Sequence, residues 1–280
     1  MRIINATKIT EAVARLCVEA NLALPRDIRE AVRSAIAVEP WEPARRLLQT
    51  IDENSELAEV RRIPVCQDTG MACVFLEIGQ DIHINGDAIA AVNAGVARGY
   101  ADGFLRKSIV ADPLRRSNTG DNTPAAVYLD LVPGDKLKIT VAPKGFGSEN
   151  MSRVKMLRPS DGVAGVIDFV VDAVERAGGN PCPPIVVGVG IGASFDKVTL
   201  LAKRALLLPI DERNPDPYYA DLERELLAKI NALGIGPQGF GGMTTALGVN
   251  VLAAPTHIAG LPAAVNISCH VTRHASCDVM

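Results

Sequence analysis

The chain has 280 residues, 48% hydrophobic and 22% charged, with 29 basic and 32 acidic side chains and a formal net charge of −3. That length supports one large domain or two small ones with ample core, and the charge balance gives no electrostatic case for nucleic acid. No run approaches the roughly 18–20 apolar residues of a membrane span, the start lacks the apolar core of a secretory signal, and six cysteines in a chain this long read as reduced thiols or metal ligands of a cytoplasmic protein.

Residues 7–60 read as helical. Ala12, Val13, Leu16 and Ala20 form an apolar stripe at helical spacing, which Leu24-Pro25 breaks. A second helix is expected over 26–38. Pro40 interrupts before a third, which carries Ala44, Leu47, Leu48 and Ile51 on one face. From residue 63 the texture changes to short strands and turns. A strand is expected over 72–78 and an Ala-rich helix over 87–104. Strands at 125–132 and 136–142 flank Pro133-Gly134-Asp135, a hairpin signal. A helix over 161–177 ends at Gly178-Gly179, and an apolar strand follows at 184–189. Helices at 196–208 and 217–233 precede strands at 245–254 and 262–272. The expected fold class is α/β of the mixed α+β kind, an N-terminal helical arm followed by mixed sheets flanked by helices, with no βαβ rhythm or internal repeat. We expect one domain, 1–280, with the arm at 1–60 and an α/β body at 61–280.

Three cysteines stand in turn-rich junctions: Cys66 in Pro-Val-Cys-Gln-Asp-Thr-Gly, Cys182 in Gly-Asn-Pro-Cys-Pro-Pro, and Cys269 in Asn-Ile-Ser-Cys-His-Val. Turns present a thiolate rather than bury it. Three such thiolates suit a cubane iron–sulfur cluster that keeps one iron free for a substrate. Gln67 and Asp68 put an amide and a carboxylate beside the first ligand, although Asp-Thr-Gly is also an ordinary turn. Pro181, Pro183 and Pro184 stiffen the second, or simply make a surface turn.

His257, in Pro-Thr-His-Ile-Ala-Gly, can hydrogen-bond a substrate and move a proton; His270 and His274 rank below it. Arg106 follows a helix, where it can clamp a carboxylate or serve the helix dipole. The loop from Lys144 through Gly147 resembles an anion-binding nest. Gly188, Gly190 and Gly192 lack the third glycine offset of a dinucleotide fingerprint. Cys17 on a helix, Cys73 in a strand and Cys277 in a frayed tail read as non-ligands.

Taken together, Cys66-Gln-Asp-Thr-Gly, Lys144-Gly-Phe-Gly-Ser-Glu-Asn-Met-Ser, Gly-Asn-Pro-Cys182, and Pro-Thr-His257 followed by Cys269 resemble the class I iron–sulfur fumarases. More narrowly, the chain resembles the α subunit of the two-subunit fumarate hydratase and L-tartrate dehydratase group, over nearly its whole length. The resemblance implies a [4Fe–4S] cluster held by Cys66, Cys182 and Cys269, with one iron not ligated by protein. It also implies that Gln67, Asp68, Arg106, the Gly147 backbone and His257 face a C4 dicarboxylate, with Asp68 and His257 catalytic. In single-chain relatives a second domain supplies a threonine base and further Arg and Lys contacts. This chain leaves no room for it, so the resemblance implies a separate β subunit and an α2β2 assembly. The implied reaction is hydration of fumarate to L-malate. L-tartrate dehydration is the alternative within the family, and a non-enzymatic metal-binding scaffold subunit is the rival from a different class.

Overall fold

Three of the long helices in this chain start where the sequence offers a side-chain cap. Asn5 Oδ1 accepts from Thr7 N at 3.0 Å, Asp87 Oδ1 from Ala90 N at 2.9 Å, and Asp216 Oδ1 from Tyr218 N at 2.9 Å, each satisfying an amide that has no partner inside its helix. The structure, a computed structural model, describes residues 1–280. In chain order it runs β1 (Arg2–Asn5), α1 (Ala6–Leu22), α2 (Arg26–Val38), α3 (Glu42–Arg61), β2 (Met71–Gly79), β3 (Ile82–Asn85) and α4 (Ala88–Asp102). There follow β4 (Ala126–Val132), β5 (Leu137–Lys144), α5 (Phe146–Glu149), β6 (Arg153–Leu157), α6 (Gly162–Ala177) and β7 (Ile185–Gly192). The last elements are α7 (Phe195–Ala205), α8 (Pro217–Ala232), β8 (Ala246–Ala254), β9 (Leu261–Ser268) and β10 (Ala275–Val279). No helix is long and apolar enough to cross a membrane. The fold is mixed α/β, as the sequence indicates.

The chain forms two compact units: Met1–Leu24 with Glu56–Phe146 and Arg273–Met280, and Pro25–Ser55 with Gly147–Thr272. The sixty residues expected as one helical arm are divided between them. In the first unit a four-stranded sheet runs β10-β5-β2-β4, beside a two-stranded parallel pair of β1 and β3. Ile9, Val13 and Leu16 of α1 and Val92 and Val96 of α4 are buried against Val74, Leu76, Ile139 and Val141 of the sheet. Each such side chain contributes about 1.5–3 kcal/mol by leaving water.

Two expectations are corrected here. The segments around Pro133-Gly134-Asp135 form strands but not a hairpin. β2 lies between them, parallel to β4 and antiparallel to β5. The turn instead wraps the end of β2: Gly79 N donates to Lys136 O at 2.9 Å and Asp81 N to Gly134 O at 3.0 Å. Nor is the tail frayed, because Cys277 pairs with Ile139 in β10, whose ladder bonds satisfy the terminal backbone. The short strands β1 and β6 were not foreseen; runs of four and five residues leave little periodicity to read.

In the second unit the sheet order is β6-β9-β7-β8. Val166 and Val170 of α6 and Leu226 and Ile230 of α8 cover one face over Val187, Val189, Val251 and Val265. α7 covers the other with Val198 and Ala202. The alternation within β7 explains its glycines. A Cβ on Gly188 would stand 2.2 Å from Ala202 O, and one on Gly190 2.2 Å from Val198 O. The glycines lie inside the strand and admit the backbone of α7, which leaves no dinucleotide turn.

Candidate functional site

In the first unit the segment after α3 returns to the sheet through Cys66, Gln67 and Asp68. Val65 N anchors its start on Asn21 O at 2.9 Å. Thr69 is buried, and its Oγ1 accepts from Arg106 N at 2.9 Å and lies 3.2 Å from Arg106 O. That exchange brings Arg106, whose side chain is exposed, beside the Cys66–Gly70 segment. The Asp68 carboxylate accepts from Gly70 N at 3.0 Å and Phe146 N at 3.1 Å, so the Lys144-Gly-Phe stretch is tied to the same place. Gly70 has φ +76°, and a Cβ there would lie 2.8 Å from the Lys144 backbone; only glycine combines that turn with that approach. Cys66, Gln67, Asp68 and Arg106 are thus gathered in one loop cluster.

In the second unit Cys182 stands in the turn before β7, exposed and at φ +54°. Cys269 directly follows β9, which runs antiparallel to β7, so both thiols lie at the same end of the sheet. His270 joins them: its backbone N donates to Cys182 O at 3.2 Å and its Nδ1 to the same oxygen at 2.9 Å. Gln238 braces the turn, donating to Pro183 O from its backbone N at 2.8 Å and from Nε2 at 2.9 Å. Gly147 belongs here as well, facing Asn180 O at Cβ distance 3.8 Å. Within either unit, no three His, Cys, Asp or Glu side chains gather into a metal-binding group.

His257 is not with this pair. It occupies the exposed turn between β8 and β9, and Gly192↔Ala254 and Ile185↔Ala246 mark the two ends of the parallel β7–β8 pairing. Seven strand steps, roughly 23 Å, separate its end of the sheet from the Cys182 end. Its Nδ1 accepts from Ala259 N at 3.1 Å, which in neutral histidine leaves the ring proton on Nε2. Within this chain it is His270, ranked below His257 as a substrate-facing histidine, that stands beside the two cysteines. Adjacency to Cys269 was the signal for His270. Gln238, fifty-five positions from the carbonyl it braces, carries no such local signal.

The other cysteines differ in environment. No disulfide forms. Cys17, on α1, is sealed against α4 beside Gly99, and burial pushes its thiol pKa up to about 12. Cys73 is buried in β2. Cys277 is partly buried, and its pKa is raised by burial. Cys66 and Cys269 are partly buried like Cys277, and Cys182 is exposed, so all three stand more open than the sealed Cys17 and Cys73, as a metal ligand requires.

A family model described as fumarate hydratase (fumerase) matches residues 10–278. The chain is 43% identical over 275 residues to a Methanocaldococcus jannaschii protein named "Putative L(+)-tartrate dehydratase subunit alpha", covering 96% of each chain. It is 32% identical over 276 residues to the Escherichia coli (strain UTI89 / UPEC) protein named "L(+)-tartrate dehydratase subunit alpha", covering 97% of this chain and 91% of that one. A Shigella sonnei protein of the same name is 32% identical over 273 residues, covering 96% and 90%.

Proposed function

We propose, for a chain that belongs to the fumarate hydratase family, that it is the cluster-bearing α subunit of a hydro-lyase acting on a C4 dicarboxylate. The observation that carries this reading is the His270-braced pair of Cys182 and Cys269, at hand while Cys17 and Cys73 are sealed. The donor set fits a [4Fe–4S] group: three thiols on constrained loops, none in a disulfide. Cys66, Cys182 and Cys269 would hold it. When bound, the cluster supplies a Lewis-acidic iron that polarises a substrate hydroxyl.

The chain's own groups do the rest. Arg106 clamps a substrate carboxylate with its planar donors, and Gln67 donates to a second oxygen. Asp68, immobilised by two backbone amides, holds or delivers the proton at the hydroxyl. The Gly147 N–H contributes a fixed donor. His257 is given no step beside this chain's Cys182–Cys269 pair, because it lies at the other end of its sheet. The base that takes the carbon-bound proton is proposed to come from a β subunit, in an α2β2 assembly within the reducing cytoplasm.

The leading reaction is hydration of fumarate to L-malate. The second reading, L-tartrate to oxaloacetate, is favoured by the names of the relatives. The test is anaerobic reconstitution of the chain with its partner subunit, followed by assays on malate, fumarate and tartrate. About four irons per chain and turnover of one substrate are expected. Colourless, iron-free protein overturns the proposal, and one zinc per chain without turnover points to a scaffold subunit.

A further inference from the structure

Three consecutive carbonyls, those of Asp68, Thr69 and Gly70, each accept a hydrogen bond from a buried side chain of the first unit. Arg273 Nη2 donates to Asp68 O. Tyr100 Oη meets Thr69 O at 2.8 Å and Gly70 O at 3.0 Å. Asn122 Nδ2 donates to Gly70 O at 3.2 Å, while its Oδ1 accepts from Ser108 N at 2.7 Å. Arg273 is 5% exposed, and Tyr100 and Asn122 are 0% exposed. They come from three distant parts of the sequence, α4, the loop before β4 and the segment before β10.

A strand end needs no such apparatus, since carbonyls entering a sheet usually find ladder partners. Arg273 is the more telling because its Nε and Nη1 are buried and meet no acceptor. A guanidinium kept inside without a fork of acceptors is costly. The one acceptor it does reach is the carbonyl of the residue bearing the proposed proton-handling carboxylate. Tyr100 stays a neutral donor, its pKa pushed up chiefly by burial.

We infer that Arg273, Tyr100 and Asn122 are positioning residues, a buried three-donor clasp that fixes the Asp68–Gly70 backbone. The clasp thereby sets the directions of the Asp68 carboxylate and the Cys66 thiol for the reaction. This rests on the hydro-lyase reading, and the experiment separates the two. Tyr100→Phe removes one hydroxyl at nearly constant shape, and Arg273→Lys keeps the charge but loses the fork.

Each variant is made in the full chain complexed with its partner subunit. It is followed by hydrogen–deuterium exchange and by kcat and KM, with turnover normalised to bound iron. Faster exchange confined to residues 65–70 and 105–108 is expected, with kcat per iron lowered about 10- to 100-fold and KM little changed. Exchange there equal to wild type overturns the clasp, as does a uniform rise through the first unit with kcat per iron intact. If Arg273→Lys fails to fold, Tyr100→Phe decides alone. If the wild-type pair shows no hydro-lyase activity, the functional reading falls, while the exchange pattern still decides whether the clasp fixes the loop.

Discussion

The carbonyl oxygen of Cys182 receives two hydrogen bonds from a single residue, His270, at 3.2 Å from its backbone N and 2.9 Å from its Nδ1. One acceptor with both lone pairs occupied by one neighbour has little freedom, so the Cys182 turn is held to the end of β9 that carries Cys269. The first prediction follows. His270→Ala leaves that oxygen with only the backbone donor and weakens iron retention about 10- to 100-fold, the usual cost of losing a group that orients a ligand. His257→Ala, at the far end of the same sheet, leaves retention unchanged. Iron and acid-labile sulfide, measured per chain after anaerobic desalting, make the comparison.

Cysteine replacement gives a second. Single changes of Cys66, Cys182 or Cys269 to Ser remove the brown chromophore after reconstitution, because a hydroxyl is a poor ligand for iron beside sulfide. Cys17→Ala and Cys73→Ala retain it. Cys17→Ala still costs about 1 kcal/mol of stability through its small cavity. Visible absorbance and a denaturation midpoint separate the two classes; loss of colour in Cys73→Ala would count against the assignment.

The buried thiol of Cys17 also makes stability depend on pH in a stated direction. Its pKa rises from 9.0 in the unfolded chain to about 12 in the folded one, so above pH 9 the unfolded state loses the proton first. The stability this thiol confers is therefore complete below pH 9 and is lost as pH climbs toward 12, by roughly 4 kcal/mol at most. Urea midpoints at pH 8 and pH 10.5 should show a fall that is shallower in Cys17→Ala.

A fourth prediction concerns β7. Gly188→Ala and Gly190→Ala each drive a methyl into a carbonyl of α7 at 2.2 Å, which the helix can relieve only by moving off the sheet. Each change is expected to destabilise by roughly 2–4 kcal/mol, lowering Tm by about 5–15 °C. Thermal melts monitored by far-ultraviolet circular dichroism provide the check.

Local chemistry alone determined a good deal about this protein. Helices α1, α2, α3, α4, α6, α7 and α8, strands β2, β4, β5, β7, β8 and β9, and the turns that present Cys66, Cys182 and Cys269 follow from caps, glycine and proline breaks and apolar spacing, which act over a few residues. Tertiary structure decided how those pieces meet. Inserting β2 between β4 and β5 replaced a hairpin that the turn residues by themselves favour, because the mostly buried β2 pairs its backbone on both edges, with β4 and with β5, and so leaves no ladder group of a central strand unsatisfied. The choice of His270 over His257 beside the cysteines, and the convergence of Arg273, Tyr100 and Asn122 on three carbonyls, depend on side chains reaching backbone 30 to 205 positions away. Such bonds carry no period and no local composition. They exist only once the sheets have fixed which ends lie together.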